Sequence, residues 1–153
     1  MTSYNRVFDT HASRYRIENE VSIQYIIDMP KSILLVDDDA AIRDLYQQLL
    51  VGAGYTVDTA TEGKTALEKI AKNSYDLVLL DIMMPQIDGI GVLDTLNEKK
   101  LKHAPILFMT NLLNDPATKE AVNKGAVGLV IKVNLEPDQF LATIQQVLEM
   151  PKS

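Results

Sequence analysis

The chain of 153 residues contains no cysteine. Disulfides, thiolate nucleophiles and Cys-ligated zinc are thereby excluded. No apolar run approaches the roughly 18 residues that span a bilayer as a helix. The opening stretch, MTSYNRVFDTHASRYRIENE, lacks the apolar core of a signal peptide. Basic residues are in deficit: 15 Lys and Arg against 21 Asp and Glu leave a net charge of −6. No basic stripe is present to displace counterions from a nucleic acid. Internal repeats and low-complexity tracts are absent too. Together these absences lead us to expect a cytoplasmic protein with neither nucleic acid nor membrane as a direct partner.

What is present is a 46% apolar chain, enough for a sizeable core in one domain. From Lys31 onward, short apolar runs alternate with amphipathic stretches. SILLVD, YTVDTA, YDLVLLD, APILFMT and VGLVIK read as strands. AAIRDLYQQLLVGAG, EGKTALEKIAKN, GIGVLDTLNEKK, NDPATKEAVNKG and EPDQFLATIQQVLEM read as helices. The first helix is expected to bury Ile42, Leu45 and Leu49 and to stop at Gly52 or Gly54. Thr61 is the expected cap of the second, whose apolar positions are Ala66, Leu67, Ile70 and Ala71. The fourth has Asn114 or Asp115 as cap, Pro116 at its first position and Gly125 as stop. The last presents Phe140, Leu141, Ile144, Val147 and Leu148 on one face. Strands apolar on both faces belong in a parallel sheet with helices on each side. Right-handed crossovers then leave an α/β fold, a doubly wound five-stranded parallel sheet of order 2-1-3-4-5 with five helices.

Residues 1–30 stand outside this alternation. RYRIENEVSIQYIIDM offers a helical period (Ile17, Val21, Tyr25) and a strand period (Val21, Ile23, Tyr25, Ile27), and the two conflict. The expected organisation is an N-terminal extension over 1–30, optional or disordered, and one domain over 31–150. No second domain is expected to follow.

The polar terminators of the runs carry the chemistry. Asp37 and Asp38 end the first strand, Asp81 the third, Thr110 the fourth and Lys132 the fifth. All fall on one rim, and in such sheets ligands bind beyond the carboxyl ends of the strands, where strand order reverses. Clustered carboxylates attract a hard divalent cation, and Mg²⁺ is typically held by one or two carboxylates with waters and phosphate oxygens. Asp38 and Asp81 are placed to ligate directly and Asp37 through water. A carboxylate beside Mg²⁺ is a nucleophile toward phosphorus and forms an acyl phosphate. Thr110 is suited to hydrogen-bond one phosphoryl oxygen and Lys132 to neutralise another. Asp39 reads as the cap of the first helix.

These residues resemble the receiver domain of two-component response regulators over about residues 31–150. The resemblance rests on the acidic pair in LLVDDD, on Asp81 and the D-x-x-M-P-x-x-D-G run from Asp81 to Gly89, on Thr110 in ILFMT and on Lys132 in GLVIK. It implies a flavodoxin-like fold and Asp81 as phosphoacceptor. Thr110 and Lys132 would assist, and Mg²⁺ would be held by Asp37, Asp38, Asp81 and the backbone carbonyl of Met83. Pro85 and Gly89 would shape the adjacent loop. The implied partners are a sensor histidine kinase or histidine phosphotransfer domain, and a downstream protein target. Signalling would run by protein–protein interaction or phosphorelay. The module would not be an enzyme beyond its own phosphorylation and dephosphorylation.

Three positions depart from the family pattern. Leu129 stands where an aromatic residue usually turns inward on phosphorylation, Val133 replaces the proline after the lysine, and Asn111 replaces a small residue. The first two favour an alternative, a receiver-like interaction module that does not use phosphorylation. A phosphatase of the haloacid-dehalogenase type would need D-x-D-x-T/V; Asp37 and Asp39 have the spacing, but Ala41 occupies the last position. From the resemblance we also expect slow loss of the phosphoryl group, because Met83 and Leu112 cannot orient water. The Lys132–Val133 bond is expected to be trans.

Overall fold

Five runs of β-branched and aliphatic residues form five parallel strands: β1 (Ser32–Val36), β2 (Thr56–Ala60), β3 (Leu77–Asp81), β4 (Ile106–Thr110) and β5 (Gly128–Ile131). Between and after them run α1 (Ala40–Gly52), α2 (Gly63–Lys72), α3 (Gly89–Glu98), α4 (Pro116–Asn123) and α5 (Pro137–Glu149). In this computed structural model the described residues are 29–111, 115–132 and 135–151. The chain divides into two units between Pro30 and Lys31. The expectations for residues 1–28 lie outside the described residues, as do those for Leu112, Asn114 and Val133.

The sheet order is β2-β1-β3-β4-β5. Strand order reverses between β1 and β3, as the alternation of elements implies. Side chains alternate between the faces, and each face has its own core. Leu34, Val36, Val78, Leu80, Ile106 and Phe108 pack with Ala66 and Ile70 of α2, with Ile90, Leu93 and Leu96 of α3 and with Ala121 of α4. Ile33, Leu35, Leu77, Leu79, Leu107 and Met109 pack on the other face with Tyr46 and Leu50 of α1 and Phe140 and Ile144 of α5. Every residue of β3 is buried. Truncating a central side chain such as Leu79 to Ala is a loss of about 3 kcal/mol.

Local chemistry sets the helix ends. Asp39 caps α1 as expected, its carboxylate accepting from the Ile42 amide at 3.1 Å. Asp88 caps α3 through the Gly91 amide at 2.7 Å, and Asp115 caps α4 through the Ala117 amide at 2.8 Å, with Pro116 behind it. Gly54 and Gly125, both at positive φ, follow α1 and α4 as stops. Two expectations fail here. Thr61 does not cap α2; the cap position is Glu62, which makes no side-chain cap bond. Packing fixes this helix start instead: a Cβ on Gly63 would sit 2.9 Å from the Ile87 Cβ, so only glycine fits. The buried face of α1 also differs, since Leu45 is exposed while Tyr46 and Leu50 are buried. Ile42 and Leu49 remain half-buried beside them. The Tyr46 ring rests on Phe140 of α5, centroids 4.6 Å apart, and that aromatic contact sets the rotation of the helix.

Candidate functional site

The carboxyl ends of β1, β3, β4 and β5 carry Asp37, Asp81, Thr110 and Lys132 to one rim, as the strand-end pattern implies. Each reaches it because its strand runs straight through the core and stops there. Asp37 and Thr110 are fully buried, and Asp81 is 5% exposed. Asp38, one residue further, is exposed. One carboxylate oxygen from each of Asp37, Asp38 and Asp81 lies within 4.8 Å of the others. Such proximity of anions, two of them out of water, is unfavourable unless a cation compensates.

Lys132 supplies one. Its Nζ donates to Asp37 Oδ2 at 2.5 Å and lies 3.2 Å from Asp81 Oδ2. Burial works to lower its pKa, but the hydrogen bond to Asp37 and the charges of Asp81 and Asp37 overcome this and hold it above the usual range. Asp37 Oδ1 accepts from the Asp39 amide at 2.9 Å. Asp81 Oδ1 accepts from the Met83 amide at 3.2 Å. Burial pushes the Asp81 carboxyl up to about 6; Lys132 and the Met83 amide oppose the shift, and Asp37 adds to it. One ammonium among three carboxylates leaves the rim short of positive charge. The donors are all oxygens, a set suited to a hard divalent cation.

Thr110 ends β4 beside Ile131 of β5, one strand away from Asp81. The Met83 side chain is 56% exposed beside the cluster, while its backbone bonds to Asp81. Gly89 closes the loop behind the site. A Cβ there would run into the Asp81 carbonyl and sit 2.9 Å from the Ile82 Cα. Asp39, two residues beyond Asp37, accepts from the Ile42 amide through Oδ1 as the cap of α1. Leu129 is half-buried, pairs in register with Phe108 of β4 and packs on the core.

Two residues of the site were not read from the sequence. Arg43 Nη1 donates to the Asp37 carbonyl at 2.8 Å. The Tyr46 hydroxyl donates to the Lys132 carbonyl at 3.4 Å. Both lie on α1 and pass for ordinary positions of an amphipathic helix. Nothing in the spacing marks a backbone carbonyl as a partner, whether it lies 6 residues away or 86.

Comparisons with known proteins agree with this geometry. The model of the response regulator receiver domain matches residues 33–145. The transcriptional regulatory protein ZraR of Escherichia coli (strain K12) is 39% identical over 117 residues, covering 76% of this chain and 26% of that protein. The transcriptional regulatory protein DltR of Streptococcus agalactiae serotype III (strain NEM316) is 38% identical over 113 residues, covering 74% and 50%. The chain therefore spans about a quarter to a half of the length of these relatives. Among solved structures, chemotaxis protein CheY4 of Vibrio cholerae superposes with a TM-score of 0.70 at 32% identity, over 78% of this chain and 99% of that one. A CheY-like receiver domain protein from Methanospirillum hungatei JF-1 gives 0.72 at 29% identity, over 79% and 95%. Sequence match, strand order and rim chemistry converge, and the chain belongs to the family of response regulator receiver domains.

Proposed function

We propose that this chain is a phosphorylation-controlled signalling module whose phosphoacceptor is Asp81. The observation that carries the reading is the rim itself: three carboxylates within 4.8 Å of one another, with a single buried ammonium among them. An Asp81 carboxylate oxygen attacks the phosphorus of a phosphohistidine. The P–N bond breaks, and the imidazole leaves with the electron pair and takes up a proton. The product is an acyl phosphate on Asp81. Lys132 neutralises one phosphoryl oxygen as a point charge, and Thr110 donates to another. Asp37, Asp38, Asp81 and the Met83 carbonyl would hold Mg²⁺, which when bound supplies the positive charge that the three carboxylates and the phosphoryl oxygens require. Outside its own phosphorylation and dephosphorylation the module catalyses nothing.

The phosphodonor is a sensor histidine kinase or a histidine phosphotransfer domain, which sets the protein in the cytoplasm. Among the described residues no helix is long and apolar enough to cross a membrane. The receiver unit spans 31–150, and residues 1–30 form an extension to it. Output runs through a downstream protein target rather than through contact of this unit with nucleic acid; the acidic balance of the chain supports that. The test is intact mass after incubation with Mg²⁺ and phosphoramidate or acetyl phosphate. One phosphoryl group is expected on the wild type and none on Asp81→Asn. Uptake at an equal rate in Asp81→Asn, or in EDTA, overturns the reading.

A further inference from the structure

Lys132 is the first residue beyond β5, an edge strand whose pairing with β4 ends at Ile131 opposite Thr110. The strand pairing therefore stops one residue short of it. The family pattern places a proline next, whose ring fixes φ covalently; Val133 supplies no such constraint. Yet the Lys132 ammonium must stay aimed at Asp37 and Asp81.

Helix α1 provides a substitute. Arg43 and Tyr46 are three residues apart, hence on one face of the helix. Arg43 grips the Asp37 carbonyl at 2.8 Å, and the Tyr46 hydroxyl bonds to the Lys132 carbonyl at 3.4 Å. One helix face thus fixes the main chain of both partners of an ion pair that lie 95 residues apart in sequence. The Tyr46 ring is itself immobilised: it is 6% exposed and tilted on Phe140 at 4.6 Å. Its hydroxyl is therefore presented from a rigid support. Packing alone needs only an apolar side chain at this position; the hydroxyl needs an acceptor, and the acceptor it meets is the carbonyl of the residue that carries the site's ammonium.

We infer that Tyr46 is a positioning residue: through the Lys132 carbonyl, with Arg43 as its counterpart on Asp37, it sets the distance between the ammonium and the carboxylates. The inference deepens the proposed phosphoacceptor reading and rests on it for its kinetic consequence.

The experiment uses Tyr46→Phe, which keeps the ring against Phe140 and removes only the hydroxyl. The first readout is the ¹H–¹⁵N signal of the Lys132 ammonium, assigned by its loss in Lys132→Arg. A shifted or exchange-broadened signal is expected, with the melting temperature close to wild type. The second readout is the rate of phosphoryl uptake from phosphoramidate and Mg²⁺, expected to fall on the order of two- to five-fold, the range of a single long neutral hydrogen bond. An unchanged Lys132 signal overturns the inference, as does a moved signal with an unchanged rate. If the wild type takes up no phosphoryl group while the Lys132 signal still moves in Tyr46→Phe, the functional reading fails and the positioning stands.

Discussion

Two clusters in this molecule use the same chemical groups to opposite ends. At the edge of the sheet, Asp58 of β2 meets Lys69 of α2 and Tyr75. Asp58 Oδ1 accepts from Lys69 Nζ at 2.7 Å and from the Thr59 amide at 2.8 Å, and Oδ2 accepts from the Tyr75 hydroxyl at 2.7 Å. Lys69 also donates to the Thr59 carbonyl at 2.7 Å. One carboxylate faces one ammonium, and the lone pairs are used. At the rim, Asp37, Asp38 and Asp81 share Lys132. Burial differs as well: the side chains of Lys69 and Asp58 are 32% and 40% exposed, those of Lys132, Asp37 and Asp81 6%, 1% and 7%. The two aspartates shift in opposite directions. Burial acts to raise both, but at Asp58 the bonds from Lys69, Tyr75 and Thr59 prevail and hold the carboxyl below its usual value. At Asp81 burial prevails and pushes it up to about 6. A balanced cluster pins structure; an unbalanced one retains a deficit of positive charge that a ligand can fill.

The largest expected effect breaks the comparison at the two lysines. Lys132→Met leaves buried carboxylates without their cation and is expected to cost about 3 kcal/mol in metal-free protein. Lys69→Met removes a half-exposed partner and is expected to cost under about 1 kcal/mol. Urea denaturation in EDTA measures both. Equal losses would show that the clusters do not differ in the way their burial implies.

The next effect is kinetic and concerns the rim alone. Loss of the phosphoryl group needs an oriented water, and the Met83 side chain beside Asp81 is exposed and has no group that orients one. Met83→Asn is expected to speed that loss by about tenfold. The decay of the phosphorylated mass after removal of the donor checks it, and an unchanged decay would show that water is positioned from elsewhere.

What the sequence made legible follows from the range of the interactions. Asp37, Asp81, Thr110 and Lys132 were readable because each ends an apolar run, and a parallel sheet brings such ends together whatever the loops do. The caps Asp39 and Asp115 were readable because a cap acts within three residues. The sequence points to Leu45 because Ile42, Leu45 and Leu49 fit the helical period as well as the true face does. The choice between them was made by Phe140, on another helix. Arg43, Tyr46 and the Asp58 cluster were invisible for the same reason: their partners are distant in sequence or are backbone atoms, which leave no trace in spacing. Gly63 carries no mark in the sequence because the close approach of Ile87 is a tertiary fact.

A smaller effect sharpens the comparison from the side of Asp58. Its native pKa lies below the usual 3.8, so its contribution to stability is complete above that value and is lost as pH falls through the lowered native one. The stability gap between wild type and Asp58→Asn is therefore expected to be largest near neutral pH, on the order of 1 kcal/mol or less for so exposed a pair, and to be smaller at about pH 3. Urea titrations at the two pH values measure it. A gap that widens on acidification would reverse the assigned sign. In the same cluster Tyr75 is pushed up to about 12 by burial and by its bond to Asp58, so Asp58→Asn should bring its ionisation to lower pH in a spectrophotometric titration.

The smallest expected effect is how far a change at the unbalanced cluster travels. Coupling between sites is a free-energy difference between two states of an intervening element. An aromatic residue at position 129 would offer two such states, exposed and buried. Leu129 is half-buried and already packs on the core next to Phe108, its register partner in β4, and it has no polar group to gain or lose at the surface. Helix α4 is also tied to α3, because Lys124 Nζ lies 2.8 Å from Asp94 Oδ1 and 3.0 Å from Glu120 Oε1. Both features oppose a second arrangement of α4 and β5. In NMR spectra of the free protein and of its complex with beryllofluoride and Mg²⁺, large shifts are therefore expected around Asp81, with small ones along α4, β5 and α5. Equally large shifts across those elements, reverting in Thr110→Ala, would show that a different switch carries the signal in place of an aromatic ring.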